Sequence, residues 1–112
     1  EHTYPEDLTD LDTIRSELEK MARRGAIWLK NKALLARTVT VKVRYHDFTT
    51  VTRTQSKNPA TRNADHLAAR ARLLLARTEA GVRAVRLLGV SLHNLSSEDE
   101  TDNKAAELSL PL

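Results

Sequence analysis

Apolar and polar residues alternate between positions 38 and 45. Val39, Val41, Val43 and Tyr45 fall on one side, and Thr38, Thr40, Lys42 and Arg44 on the other. A period of two with β-branched residues predicts a half-buried strand. His46-Asp47 reads as a short turn, and Phe48–Gln55 returns as a second, threonine-rich strand, giving a hairpin with one apolar face and one face of Thr, Lys and Arg. Upstream, Leu11, Ile14, Leu18 and Met21 recur at spacings of three and four, and the pattern continues past Gly25 to Trp28 and Leu29. This predicts a helix over 10–32, with Thr9 or Asp10 as N-cap and Asp12 in the first turn. Leu67, Ala71, Leu74 and Thr78 predict a second helix over 64–79, capped by Asn63 and followed by Gly81.

The last regular element spans 82–95. Leu88, Val90 and Leu92 alternate with Gly89, Ser91 and His93, but the alternation slips at Arg86-Leu87-Leu88, as at a bulge. With Leu88 in the core, Arg86 and Ser91 join the polar side of the hairpin. Residues 1–5 fit the end of a strand stopped by Pro5, residues 56–63 a polar loop broken by Pro59, and residues 96–106 a disordered acidic linker. The order (β)αββαβ predicts an α+β domain, an antiparallel-rich sheet with both helices on one face. The other face is open to water and to whatever binds. Tyr45, Phe48 and Trp28 are assigned to the core.

A chain of 112 residues supports one modest core. Without cysteine it has no disulfide framework and no thiolate site, which suits a cytoplasmic protein. No apolar run has the length of a membrane span, and the N-terminal residues lack a signal pattern, so no membrane partner is expected. The net charge of +3 is unevenly distributed. Residues 37–95 hold eleven Lys/Arg against Asp47, Asp65 and Glu79, a balance of +8, whereas residues 96–112 hold Lys104 against five acids. A basic body with an acidic tail is a nucleic-acid-binding layout. A sheet face of hydroxyls and cations suits a phosphate backbone, and the same residues equally suit a merely solvated strand face. Arg70, Arg72 and Arg77 fit the solvated side of their helix. No histidines pair at metal-ligand spacing, there is no glycine-rich phosphate loop and no nucleophile elbow, so no catalytic residue and no cofactor is assigned to this segment.

The hairpin from Ala36 to Arg53, with Tyr-His-Asp-Phe-Thr-Thr at 45–50 and Arg-Leu-Leu-Gly-Val at 86–90, resembles the little-finger domain of Y-family DNA polymerases. The likeness spans residues 1–95 and is nearest to the bacterial DNA polymerase IV (DinB) type. It implies a four-stranded, largely antiparallel sheet backed by two helices, tethered to the palm, fingers and thumb of a parent translesion polymerase. The implied role is to grip the backbone of primer–template DNA in the major groove. The parent's nucleotidyltransferase centre, with its expected Mg2+, would lie outside this segment. The family's DNA-touching positions fall here at Thr49, Thr50, Thr52, Arg53 and Thr54, with Arg86 and Ser91 from the last strand. Some relatives carry a basic residue where Ser91 stands. Strand alternation cannot place all of 49–54 on one side, so some contacts would come from backbone N–H groups.

Residues 107–112, Glu107, Leu108, Ser109, Leu110, Pro111 and Leu112, resemble the sliding-clamp-binding peptide of bacterial polymerases. Three leucines alternate and Pro111 keeps the backbone extended. Glu107 replaces the usual Gln and lacks that amide's donor. The remaining alternative is a standalone RNA- or ribosome-associated module, against which stands the lack of an expected exposed aromatic stripe.

Overall fold

The computed structural model describes residues 1–98, and residues 106–111 as a backbone strand only. Seven elements follow in order: β1 (His2–Leu8), α1 (Leu11–Asn31), β2 (Leu34–Tyr45), β3 (Thr50–Thr61), α2 (Ala64–Leu75), β4 (Val85–Ser97) and β5 (Ala106–Pro111). The sheet runs β1-β4-β2-β3, every strand pair is antiparallel, and β5 also pairs with β4. The predicted α+β class and the order βαββαβ hold.

Both helices begin where the sequence puts their caps. The Asp10 carboxylate accepts from the Thr13 N–H at 3.2 Å, and the Asn63 amide oxygen accepts from the His66 N–H at 3.0 Å. Ile14, Leu18, Met21, Ala22, Ala26 and Leu29 form the buried stripe of α1; Leu67, Ala68, Ala71, Leu74 and Leu75 form that of α2. The two helices pack against each other, α1 over β4 and β2, α2 over β2 and β3. Beneath them lie Val39, Val41, Val43 and Tyr45 of β2 and Leu88, Val90 and Leu92 of β4.

Several boundaries depart from the sequence reading, each for a local reason. Pro5 does not stop β1, which continues to Leu8 with a register shift between Thr3 and Leu8. Pro5 lies within that shift on an edge strand, where a missing N–H is tolerated. The expected loop at 56–63 is mostly strand: β3 runs to Thr61, with residues 57–60 bulging between the Thr38↔Ser56 and Ala36↔Thr61 pairs. α2 ends at Leu75, four residues early, and tightens through bonds from Arg77 N–H to Leu74 O and Thr78 N–H to Leu75 O. Gly81, at φ +91°, serves the later turn at 79–83, where a Cβ would lie 3.1 Å from Leu11 Cβ.

Ser96 and Ser97 belong to β4 rather than to the linker expected from 96. Ala106 opens β5, and residues 99–105 of that linker lie outside the described residues. Arg70 is not on the solvated face of α2. It is 7% exposed and donates to the carbonyls of Arg37 at 2.7 Å and Gln55 at 3.1 Å, and to the Gln55 amide oxygen at 3.0 Å. A long cation three residues after Leu67 can still turn under the sheet edge when carbonyls wait there.

Candidate nucleic-acid interface

Register decides which β3 side chains share the open face. Directly paired antiparallel residues project to the same side. Thr38, Thr40, Lys42 and Arg44 pair with Ser56, Thr54, Thr52 and Thr50 on one side and with His93, Ser91, Gly89 and Leu87 on the other. All lie opposite the helices, because the intervening Val39, Val41 and Val43 are fully buried beneath them.

This face carries a row of hydroxyls. Thr38 and Ser56 Oγ atoms lie 2.7 Å apart and those of Thr40 and Thr54 2.9 Å apart, while Arg44 Nε donates to Thr50 Oγ1 at 3.0 Å. When two hydroxyls bond each other, one O–H remains to donate outward. Ser91 Oγ lies 2.9 Å from His93 Nε2. Lys42 Nζ donates to Glu1 Oε2 at 3.1 Å, and that bond, foremost, holds the Glu1 carboxyl below its ordinary value.

The β3 edge adds backbone donors. Phe48 N–H donates to Tyr45 O and Tyr45 N–H to Thr49 O, both at 2.9 Å. Continuing that alternation along the ladder, Val51, Arg53 and Gln55 turn their N–H groups toward β2. Thr50, Thr52 and Thr54 therefore turn theirs outward, along the sheet's edge. Hydroxyls and outward amides come from the same three threonines.

The predicted site residues divide accordingly. Thr50, Thr52, Thr54 and Ser91 come together on the open face. Arg86 joins them at one end: the register shift between Arg44↔Leu87 and Tyr45↔Val85 makes it the bulge residue, at the predicted slip. Thr49 sits in the hairpin turn, where its hydroxyl donates to Asp47 Oδ1 at 2.6 Å and accepts from Arg83 at 2.9 Å. Arg53 pairs with buried Val41 and so lies on the helix side, not facing the open surface. Its Nε donates to Arg77 O at 3.2 Å, and another guanidinium N–H to Thr52 O at 2.8 Å. Lys42 and Arg44 belong to the face although they were not among the site residues; the period-two alternation was their signal.

Phe48 is the second correction. Instead of entering the core it is 63% exposed at φ +71°, with the Arg86 guanidinium 4.5 Å from its ring centroid. Tyr45 is buried as expected, its hydroxyl accepting from Glu79 N–H at 2.8 Å, and Trp28 packs partly buried against the core. Of the proposed clamp peptide, residues 107–111 form most of β5 and Leu112 lies outside the described residues. β5 takes the part of the β4 edge, Ser91–Leu95, that β1 leaves open. Among the described residues no cluster of three or more His, Asp or Glu is arranged to hold a metal, and no helix is long and apolar enough to cross a membrane.

Comparison with known proteins bears on this surface. Residues 1–110 match the model of the impB/mucB/samB family C-terminal domain. The chain is 41% identical over 110 residues to DNA polymerase IV of Alkalilimnicola ehrlichii, and 44% identical over 95 residues to that of Halorhodospira halophila. Those matches cover 98% and 85% of this chain but only 30% and 27% of the two relatives, so the chain spans under a third of their length. Among solved structures, it is similar to a post-insertion binary complex of Dbh DNA polymerase, with a TM-score of 0.66 at 24% identity, over 86% of this chain and 28% of that one. It is also similar to the complex of a β-clamp processivity factor with the little-finger domain of polymerase IV. There the TM-score is 0.54 at 22% identity, over 96% of this chain and 92% of that one.

Proposed function

Because the chain belongs to the impB/mucB/samB family of C-terminal domains, the little-finger domain of Y-family DNA polymerases, we propose that its open sheet face grips the backbone of primer–template DNA. The observation that carries this reading is the pairing of hydroxyls with outward backbone amides at Thr50, Thr52 and Thr54, bordered by Arg44 and Arg86. Neutral donors at strand spacing reach phosphate oxygens without reading bases, and the flanking guanidinium groups supply the attraction. Ser91 lies on the same face and contributes a hydroxyl. Thr49 contributes by fixing the turn, and Arg53 by tying β3 to the segment after α2. Neither needs to touch the DNA.

Such a domain binds and does not catalyse. Nucleotidyl transfer during translesion synthesis, and the magnesium it requires, would belong to the remainder of a longer polymerase, whose palm, fingers and thumb this domain would join. Filter binding or anisotropy with duplex primer–template, RNA hairpins and single strands tests the grip. The duplex should bind best, with little dependence on its sequence; preference for RNA hairpins would favour an RNA-associated module instead.

Residues 107–112 are proposed as the peptide that docks on a bacterial sliding clamp. The alternating Leu108, Leu110 and Leu112 support this, as does the similar polymerase IV domain solved with a β-clamp. Docking as an extended strand elsewhere requires β5 to give up its pairing with β4. The gain is local concentration at primer ends, which a weak grip lacks. A calorimetric titration with the cognate clamp should show binding by the intact chain and none by a chain ending at Ala106. Glu107→Gln should tighten it. Equal binding by the intact and shortened chains would remove the assignment.

A further inference from the structure

We propose that Phe48 is a stacking platform for an unpaired nucleobase, placed where a DNA duplex held on the open face gives way to single strand. The inference rests on the DNA-gripping reading above and adds to it a second mode of recognition.

The turn geometry is the first ground. The bonds from Phe48 N–H to Tyr45 O and from Tyr45 N–H to Thr49 O close a three-residue hairpin loop whose last residue takes a left-handed conformation. Glycine or asparagine fits that position without strain; a bulky residue at φ +71° does not. A loop needed only to join two strands gains nothing from an aromatic here. Strain of this kind at a surface tip points to a use for the side chain.

The second ground is what surrounds the ring. It is 63% exposed, so it does not serve the core. Arg86 covers one side at 4.5 Å, leaving the ring able to stack on the other. The tip beneath is held firmly: Asp47 Oδ1 accepts from the Thr49 N–H and hydroxyl, Arg83 bonds Asp47 at 2.5 Å and Thr49 at 2.9 Å, and the His46 N–H donates to Ala84 O. Arg83 also lies over the Tyr45 ring at 4.1 Å. The backbone that presents the aromatic is thus fixed on both sides of it.

Charge selects the occupant. Arg44 and Arg86 flank the tip, and its nearby carboxylate, Asp47, is already engaged by Arg83. A planar ring beside two guanidinium groups, at one end of a row of hydroxyls, suits a nucleobase with its phosphates. An apolar protein segment would gain nothing from those cations.

The test compares a blunt duplex with the same duplex bearing a 5′ single-stranded extension, 2-aminopurine standing at the first unpaired position. The native chain should bind the extended form about tenfold tighter and quench the fluorophore. Phe48→Gly should abolish both effects, keep the blunt-duplex affinity, and melt at a higher temperature because the strain is relieved. Phe48→Trp should retain the preference and the quenching. Blunt-duplex binding with no preference for the extension, or a preference unchanged in Phe48→Gly, overturns the inference alone and leaves the tip to a protein partner. A lower melting temperature for Phe48→Gly overturns it too, by making the ring a packing residue. Failure to bind any duplex removes the grip and this inference together.

Discussion

Replacing Arg70 with alanine should cost about 2–3 kcal/mol of stability, since it strips partners from two carbonyls and an amide oxygen at the α2–β3 junction. Chemical denaturation measures this; a change within about 0.5 kcal/mol, the usual range for a surface residue, would contradict it. Asp47 gives a pH prediction. The Thr49 hydroxyl, foremost, then the Thr49 N–H and the Arg83 charge, hold its carboxyl below its ordinary value. A depressed folded-state value means that the stability it adds to the hairpin tip is fully present above the unfolded value and is lost as pH falls through the folded one. NMR signals of Phe48 and Thr49 should therefore show a transition in acid, below about pH 4, and Asp47→Asn should remove it. Single residues were unevenly legible. The caps Asp10 and Asn63 follow from side-chain chemistry next to a periodic stripe, so they could be read directly. Arg53, Arg70 and Phe48 could not, because each answers to a partner distant in sequence or to a backbone conformation that no glycine marks.

The β2–β3 hairpin is the element on which the functional reading depends, and β3 tests it best. Thr52→Val removes one hydroxyl but keeps the outward N–H. Thr52→Pro removes both, and costs no ladder bond on an edge strand. If amides carry much of the grip, Thr52→Pro should weaken duplex binding several-fold more than Thr52→Val, with both proteins folded by circular dichroism. Equal losses would place the contact in the hydroxyl alone. Alternation made the faces of β2 plain, since Val39, Val41 and Val43 leave a single burial solution. It misled at the ends. The turn is one residue longer than His46-Asp47, and β3 extends past Pro59 because an edge strand tolerates proline and a bulge.

At the scale of the molecule, helix and strand periods were enough for the order βαββαβ and for a sheet with one open face, while the pairing of β5 along β4 needed three dimensions. Folding divides the basic residues of 37–95 between two roles. Among the described residues, Lys42, Arg44 and Arg86 belong to the open face and its end, whereas Arg53, Arg70 and Arg83 hold the fold together. Two or three cations on that face can therefore supply the electrostatic part of the proposed grip. The most direct measurement is the affinity of this chain for duplex DNA across a series of salt concentrations. Neutralising two or three phosphates predicts a log–log slope of about −2 to −3, nearly the same for unrelated sequences, and shallower by about one in Arg44→Ala. A flat response, or a slope unchanged by Arg44→Ala and Arg86→Ala together, would contradict a phosphate-gripping open face.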